Sequence, residues 1–418
     1  MNAQDVIQWL GSRTGLELEN GVARVEWMLE RLGQPQLQVP TIHFVGTNGK
    51  GSTLNAVQSI FQASGYYVGR FTSPSIIHFR EQIVFQNQMI SEEDLVEIVI
   101  SLLPLIEELD TIGEFGLITE FEITVVVMFV YFTAYHRPDI LLVEAGMGGF
   151  LDATNVLNPL AVVCSSIGLD HQSFLGETYE EIARHKVAVL KKGVPLIYAT
   201  DKSEVAAVFE EYAQRFQCKT YALGRDMFVE RGGKVFSVWT SLGRINGIVL
   251  QMLGYHQENN AALAIMATQL LQNYFSKLTI ETIRAGLATA VWPGRIETIL
   301  PNLVIDGAHN NESVEVLCDW LVEQHAHRDI DILFAAINTK PVEQMLSTLN
   351  SVGSITVTSF EDPRAVSLSD YPPLYPRVSS FQNWLEQIDL LHSSKLYVIT
   401  GSLYFISQVR KYIVEQIL

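Results

Sequence analysis

Cysteine is scarce in this sequence. Only Cys164, Cys218 and Cys318 occur among 418 residues, far apart and without a CxxC pair. Neither a disulfide framework nor a zinc site is expected, and a reducing, cytoplasmic setting is. A basic surplus is also lacking: 28 Lys and Arg stand against 46 Asp and Glu, a net charge of −18. Such a chain is a poor partner for nucleic acid or an anionic membrane. An anionic substrate must then be held by a few local cations or metal ions. No apolar run reaches the roughly 20 residues of a membrane helix; the longest, 123–135, reads as a buried helix. The opening residues carry no basic segment followed by an apolar one, so no signal peptide is expected. Repeats, low-complexity tracts and coiled-coil heptads are missing too.

What is present is an ordinary globular composition, 48% apolar and 18% charged, in a chain long enough for two or three domains. Short Val/Ile/Leu-rich runs at 42–45, 140–144, 161–167 and 196–199 alternate with helical patterns such as 54–64 and 177–191. Strands apolar along their whole length predict a parallel sheet covered on both faces, with ligands at the carboxyl ends of its strands. After the turn Trp292-Pro293-Gly294, a plausible hinge, a second series follows at 303–305, 330–335, 355–358 and 396–399, with a helical segment at 313–325. The expected fold is α/β: a P-loop parallel-sheet ATPase domain over 1–292, then a smaller Rossmann-like α/β domain over 293–418.

Residues 45–53, VGTNGKGST, combine the end of a strand, a glycine-rich loop at 46–51 and a helix from 52. Glycines let the backbone approach a phosphate, backbone N–H groups and the helix N-terminus face the anion, and Lys50 adds a mobile charge. Ser52 and Thr53 are expected to cap the helix and to reach a phosphate or metal. The expected ATP contacts here are Asn48, Gly49, Lys50, Gly51, Ser52 and Thr53. The pattern departs from GxxxxGK[ST]: Phe44 takes the first glycine position, and Gly51 separates Lys50 from Ser52.

This variant loop is followed by Thr72-Ser73-Pro74, EAGMGG at 144–149, Leu169-Asp170-His171, and Ile182-Ala183 with Lys186. Together these motifs resemble the Mur-type ATP-dependent amide ligases, and within them the folylpolyglutamate and dihydrofolate synthases, from about Gly21 to Tyr404. Phosphates beside a carboxylate need cations between them; Ser73 and Glu144 would hold one divalent ion, and Glu144 and His171 a second. The resemblance implies that Lys186 is carbamylated and so becomes an oxygen ligand. The expected ion is Mg2+, although Mn2+ would tolerate the His171 imidazole better. Taken singly, Ser73 reads as a turn residue, Glu144 as a solvated strand end, His171 as a core histidine and Lys186 as a surface charge.

Thr119-Glu120-Phe121-Glu122 resembles the family's [ST]xFE segment, which implies folate contacts for Thr119, Phe121 and Glu122. The same spacing reads equally as a helix start with a capping box. Residues 21–33 resemble the family's N-terminal motif and bring Arg24 near the substrate. By the same resemblance Asn260, in HQENNA at 256–261, serves the adenine end, Arg295 of Pro293-Gly294-Arg295 the phosphates, and Asp306 the ribose. His309 and Ser402 fall where the incoming glutamate is expected. The nucleotide contacts thus come from both sides of the Trp292–Gly294 turn. Ser75 and Phe150 replace a His and an Arg common in the family, and IARHKVAVL replaces IAxxKAGI; none of these removes an expected metal ligand.

The implied reaction phosphorylates a carboxylate of a reduced folate, or of dihydropteroate, and joins the resulting acyl phosphate to L-glutamate. Lys50, carbamylated Lys186 and His309 are its expected catalytic residues, and the chain is expected to act as a monomer. Two other readings stand beside it. One is a Mur-type ligase for a different carboxylate, which the [ST]xFE segment disfavours. The other is a nucleotide-binding pseudoenzyme, suggested by the cations lost at Ser75 and Phe150.

Overall fold

The structure is a computed structural model that describes residues 2–15, 19–75, 77–390 and 393–417. The chain divides into two compact units, residues 1–251 with 258–290, and residues 252–257 with 291–418.

The first unit is built on eight strands: β1 (Thr41–Val45), β2 (Val68–Phe71), β3 (Ile83–Phe85), β4 (Gln88–Met89), β5 (Ile140–Glu144), β6 (Ala161–Cys164), β7 (Leu196–Tyr198) and β8 (Thr220–Ala222). Their order is β4-β3-β2-β5-β1-β6-β7-β8. From β2 to β8 every neighbouring pair is parallel, and β3 and β4 extend the sheet antiparallel. All five residues of β1 and of β5 are buried, as both-face coverage requires. On one face Ile42, Phe44, Ile140, Leu142 and Val163 pack under the helices Lys50–Ala63 and Ile280–Thr289. On the other, Leu141, Val143 and Phe71 pack under Gly21–Arg31, Glu92–Ile112 and Glu120–Val130, which is apolar from Val125 onward. Helix Ile280–Thr289 comes close to Lys50–Ala63: a Cβ at Gly286 would stand 2.4 Å from Ile60 Cα.

A three-stranded antiparallel sheet, β9 (Met227–Glu230), β10 (Phe236–Thr240) and β11 (Gly243–Ile248), also belongs to this unit. Its inward residues Met227, Phe236, Val238, Ile245 and Ile248 join the first core. The sequence reading did not include this sheet, nor β3 and β4.

The second unit carries β12 (Glu297–Leu300), β13 (Leu303–Ile305), β14 (Ile330–Phe334), β15 (Ser354–Val357) and β16 (Leu396–Thr400), in the order β12-β13-β16-β14-β15. β12 is antiparallel and the rest are parallel. Helices Asn311–His325 and Val342–Leu349 cover one face, and Phe381–Gln387 and Leu403–Gln416 the other. No helix among the described residues is long and apolar enough to cross a membrane.

Candidate active site

The glycine loop follows β1 as expected, but its helix begins at Lys50, two residues early. Ser52 and Thr53 therefore do not cap it. Gly49 is the N-cap residue, at φ 86°, and Thr53 Oγ1 instead donates back to Gly49 O at 2.9 Å. A side chain at Gly49 would also meet Asn260 Oδ1 at 2.8 Å. Asn260, expected at the adenine end, thus lies against the loop backbone itself.

Residues just after β6 hold the loop down. Thr47 N donates to Ser166 O (2.8 Å) and Asn48 N to Ser166 Oγ (3.0 Å), while Ser165 Oγ donates to Asn48 O (2.6 Å). Gly46 sits at φ 139°, where a Cβ would be 2.5 Å from Ser165 Oγ. Ser165 and Ser166 were not singled out from the sequence; their place after a buried strand was the available signal.

Two lysines converge on one carbonyl. Lys50 Nζ donates to Gly46 O (3.1 Å) and Thr47 O (3.3 Å), and Lys186 Nζ donates to the same Gly46 O (2.8 Å). Lys186, on helix Tyr179–Val187, is only 5% exposed. Burial, with the neighbouring Lys50 charge, pulls its amine down to about 7. It is not the surface charge that its helical position alone suggests. Glu144, at the end of β5, has Oε1 3.8 Å from Lys50 Nζ. Ser73 Oγ, in the turn after β2, is buried and has no hydrogen-bond partner among the described residues. On β2 itself Arg70 donates to Gln58 Oε1 of the loop helix (3.1 Å). Burial lowers Arg70 to about 10 against the opposing charges of Glu81 and Glu144. The sequence reading missed this cation.

His171 is not a core histidine: its side chain is 48% exposed, its backbone is left-handed (φ 52°), and Nε2 lies 4.0 Å from Asp170 Oδ1. Among the described residues no group of three His, Cys, Asp or Glu side chains converges as a metal site. The expected ligands include only two residues of those kinds, with Ser73 and Lys186 supplying the rest.

The loop after Glu144 is positioned by a buried polar chain. Asp152 accepts from Met147 N (2.8 Å) and from Thr154 N and Oγ1, and Thr154 Oγ1 bonds His43 Nε2 (2.8 Å). Burial forces His43 down to about 3, so its imidazole is neutral. The Phe121 ring lies over the same loop, 2.7 Å from where a Gly146 Cβ would stand. Phe150 projects from the loop at 58% exposure, its ring edge-on to His185.

Arg24, Thr119 and Glu122, of which folate contacts are expected, bond one another. Arg24 Nε and Nη2 donate to Glu122 Oε2 and Oε1 at 2.7 and 2.8 Å, with Arg24 1% and Glu122 3% exposed. Glu122 Oε2 also accepts from Thr119 N (3.1 Å) and Thr119 Oγ1 from Glu122 N (3.3 Å), a complete capping box. These three residues satisfy one another and leave little surface for a ligand. They hold the helix start that presents Phe121, which stays partly exposed.

Asp306, Arg295, His309 and Ser402 lie in the second unit. Asp306, after β13, accepts from Ile296 N and Ala308 N, both at 2.8 Å. Burial raises its pKa against the Arg295 charge nearby. Arg295 crosses Gly307, where a Cβ would be 3.1 Å from its Nη1. His309 Nδ1 bonds Gly307 O (2.8 Å) just before helix Asn311–His325. Ser402 is the N-cap residue of Leu403–Gln416, buried, and its hydroxyl makes no bond to that helix.

No family model matches the chain. It is 37% identical over 426 residues to the dihydrofolate synthase/folylpolyglutamate synthase of Bacillus subtilis, covering 98% of each chain. Among solved structures it matches an FPGS-AMPPCP-folate complex with a TM-score of 0.86 at 30% identity, over 99% of this chain and all of the other. It also matches Mycobacterium tuberculosis folylpolyglutamate synthase complexed with ADP, with a TM-score of 0.89 at 25% identity, over 98% and 97% of the two chains.

Proposed function

The chain belongs to the folylpolyglutamate and dihydrofolate synthase family, and from that premise we infer that it is an ATP-dependent ligase that adds L-glutamate to folates, and to dihydropteroate as well. The observation that carries the reading at the site is the meeting of Lys50 and Lys186 on Gly46 O, with Glu144 facing Lys50.

The reaction needs an activated carboxyl. A carboxylate oxygen of the acceptor attacks the γ-phosphorus of ATP, and ADP leaves. The glutamate amine then attacks the acyl carbon, the bond to the phosphate oxygen breaks, and the ammonium proton is lost. Lys50 and the loop N–H groups bind the phosphates and offset charge on the transferring phosphoryl group. Arg295 serves the phosphates, Asp306 the ribose and Asn260 the nucleotide base. His309 and Ser402 take the incoming glutamate. Phe121 offers a flat apolar face to the pterin or benzoyl ring, held by the Arg24–Glu122 pair.

The residues fit a divalent ion. Ser73 Oγ is a buried oxygen with no partner among the described residues, Glu144 is a carboxylate at a strand end, and Lys186 is buried with an amine that is readily neutral. A neutral amine is the form that takes up CO2, which supports carbamylation. Ser73, Glu144, His171 and carbamylated Lys186 would hold Mg2+, or Mn2+, as one or two ions. A bound ion would neutralise phosphate charge and polarise the transferring group.

The test is ADP release that requires both L-glutamate and an acceptor, with dihydropteroate and reduced folates compared side by side. Lys50→Ala and Glu144→Ala, each verified as folded, should abolish it. Unchanged ATP-dependent glutamate addition in either variant would refute the scheme.

A further inference from the structure

Ile296 occupies a backbone conformation that its side chain disfavours. It is β-branched, yet its φ is +46°, in a region that β-branched side chains almost never adopt. It directly follows Arg295 and is 3% exposed. A conformation of this kind persists only where the surroundings over-determine it, and such residues gather at functional sites.

Four contacts do so here. Ile296 N donates to Asp306 Oδ2 (2.8 Å). Gly307 N donates to Gly294 O (2.9 Å), tying the near side of the turn. Gly294, at φ 70°, donates its N–H to Glu297 Oε2 (2.8 Å). Glu297 in turn accepts from Arg410 Nε through both oxygens, each at 3.0 Å. Helix Leu403–Gln416 presents Arg410 to Glu297 and, one turn earlier, Ile406 to Gly294, where a Cβ would be 2.5 Å from Ile406 Cδ1. The Arg295 turn is thus gripped on both sides while its guanidinium lies across Gly307.

We propose that Glu297 and Arg410 are positioning residues of the ligase reaction, holding the Gly294–Ile296 turn in its unfavourable conformation so that Arg295 has one direction. This rests on the reading that Arg295 serves the phosphoryl group. Neither residue need touch a substrate, and the strain at Ile296 is what their grip maintains.

Misplacing a charge by about 1 Å costs up to roughly a hundredfold in rate. Glu297→Gln and Arg410→Met should therefore each lower kcat roughly ten- to a hundredfold, with KM for ATP within about twofold of the parent. Arg410→Lys, which keeps the charge, provides a milder variant if Arg410→Met fails to fold. The deciding measurement repeats Glu297→Gln in the Arg295→Ala background, with thermal midpoints recorded for every variant. If Glu297 acts through Arg295, the double variant turns over no more slowly than Arg295→Ala alone. Equal fold losses in both backgrounds, or an unchanged kcat for Glu297→Gln in the parent, would overturn the proposal. If Arg295→Ala itself keeps full folate- and glutamate-dependent ADP release, the assigned role of Arg295 fails first and the proposal falls with it.

Discussion

Replacing Arg24 and Glu122 separately and then together distinguishes a ligand contact from a buried brace. The pair is bidentate, with N···O distances of 2.7 and 2.8 Å, and both residues are buried. Removing one member strands the other charge, which costs about 3–5 kcal/mol. Glu122→Leu also breaks the capping box on Thr119, for about 1 kcal/mol more. The sum, about 4–6 kcal/mol, is close to the whole stability of a marginal domain. The double variant Arg24→Met/Glu122→Leu leaves no stranded charge and substitutes apolar groups of similar reach. It should therefore lie within about 1–2 kcal/mol of the parent. Urea unfolding followed by far-UV circular dichroism measures the three differences, and initial rates of ADP release measure KM for folate. The expected result is a double variant more stable than either single one and with its folate KM close to that of the parent. Additive destabilisation would refute the brace. A stable double variant whose folate KM is raised tens-fold would return Arg24 and Glu122 to the substrate.

Further predictions concern acid, the loop and the metal. The folded chain keeps His43 neutral down to about pH 3, whereas unfolded His43 takes up a proton below its ordinary 6.5. The unfolded state then binds more protons, so stability falls as pH falls through 6.5. His43 alone should account for about 2 kcal/mol lost between pH 7 and pH 5, and His43→Gln should remove that much from the difference between urea titrations at the two values. An unchanged difference would contradict the burial argument. Gly49→Ala forces a side chain to φ 86° and against Asn260 Oδ1. KM for ATP should rise at least about tenfold while KM for folate stays constant, which initial-rate kinetics will check. Ser73→Ala deletes a buried hydroxyl that has no partner among the described residues. Its thermal midpoint should be unchanged or higher, since an unsatisfied buried group costs about 1–3 kcal/mol. Its half-saturating Mg2+ should rise roughly tenfold or more, and an unaltered Mg2+ titration would remove Ser73 from the ligand set.

Much of this was legible because a buried parallel sheet writes itself as short apolar runs. The runs at 42–45, 140–144 and 396–399 match β1, β5 and β16 to within a residue. Glycine and polar residues that end such runs, Gly46 and Glu144 among them, are readable as site candidates on the same ground. The strands β9–β11 escaped because they are half-exposed, with polar residues between their few buried ones. The Arg24–Glu122 pair escaped because its members are 98 positions apart; the capping box could be read from spacing, but the competitor for its carboxylate could not. Ser165 and Ser166 looked like any strand exit until the topology set β6 beside β1. Ile296 gave no signal at all, since a β-branched residue with positive φ contradicts its own propensity.

The shared carbonyl of Gly46 has a consequence for the sign of the loop. Burial, and then the Lys50 amine directed at the same oxygen, make the protonation of Lys186 expensive, so its own charge is poised between zero and one. An anion drawn in by Lys50 would favour that charge; conversion of Lys186 to a carbamate would replace it with a negative one and turn repulsion across Gly46 into attraction. With that conversion, a single lysine side chain would set whether phosphate alone or phosphate with a cation is the ligand the loop prefers.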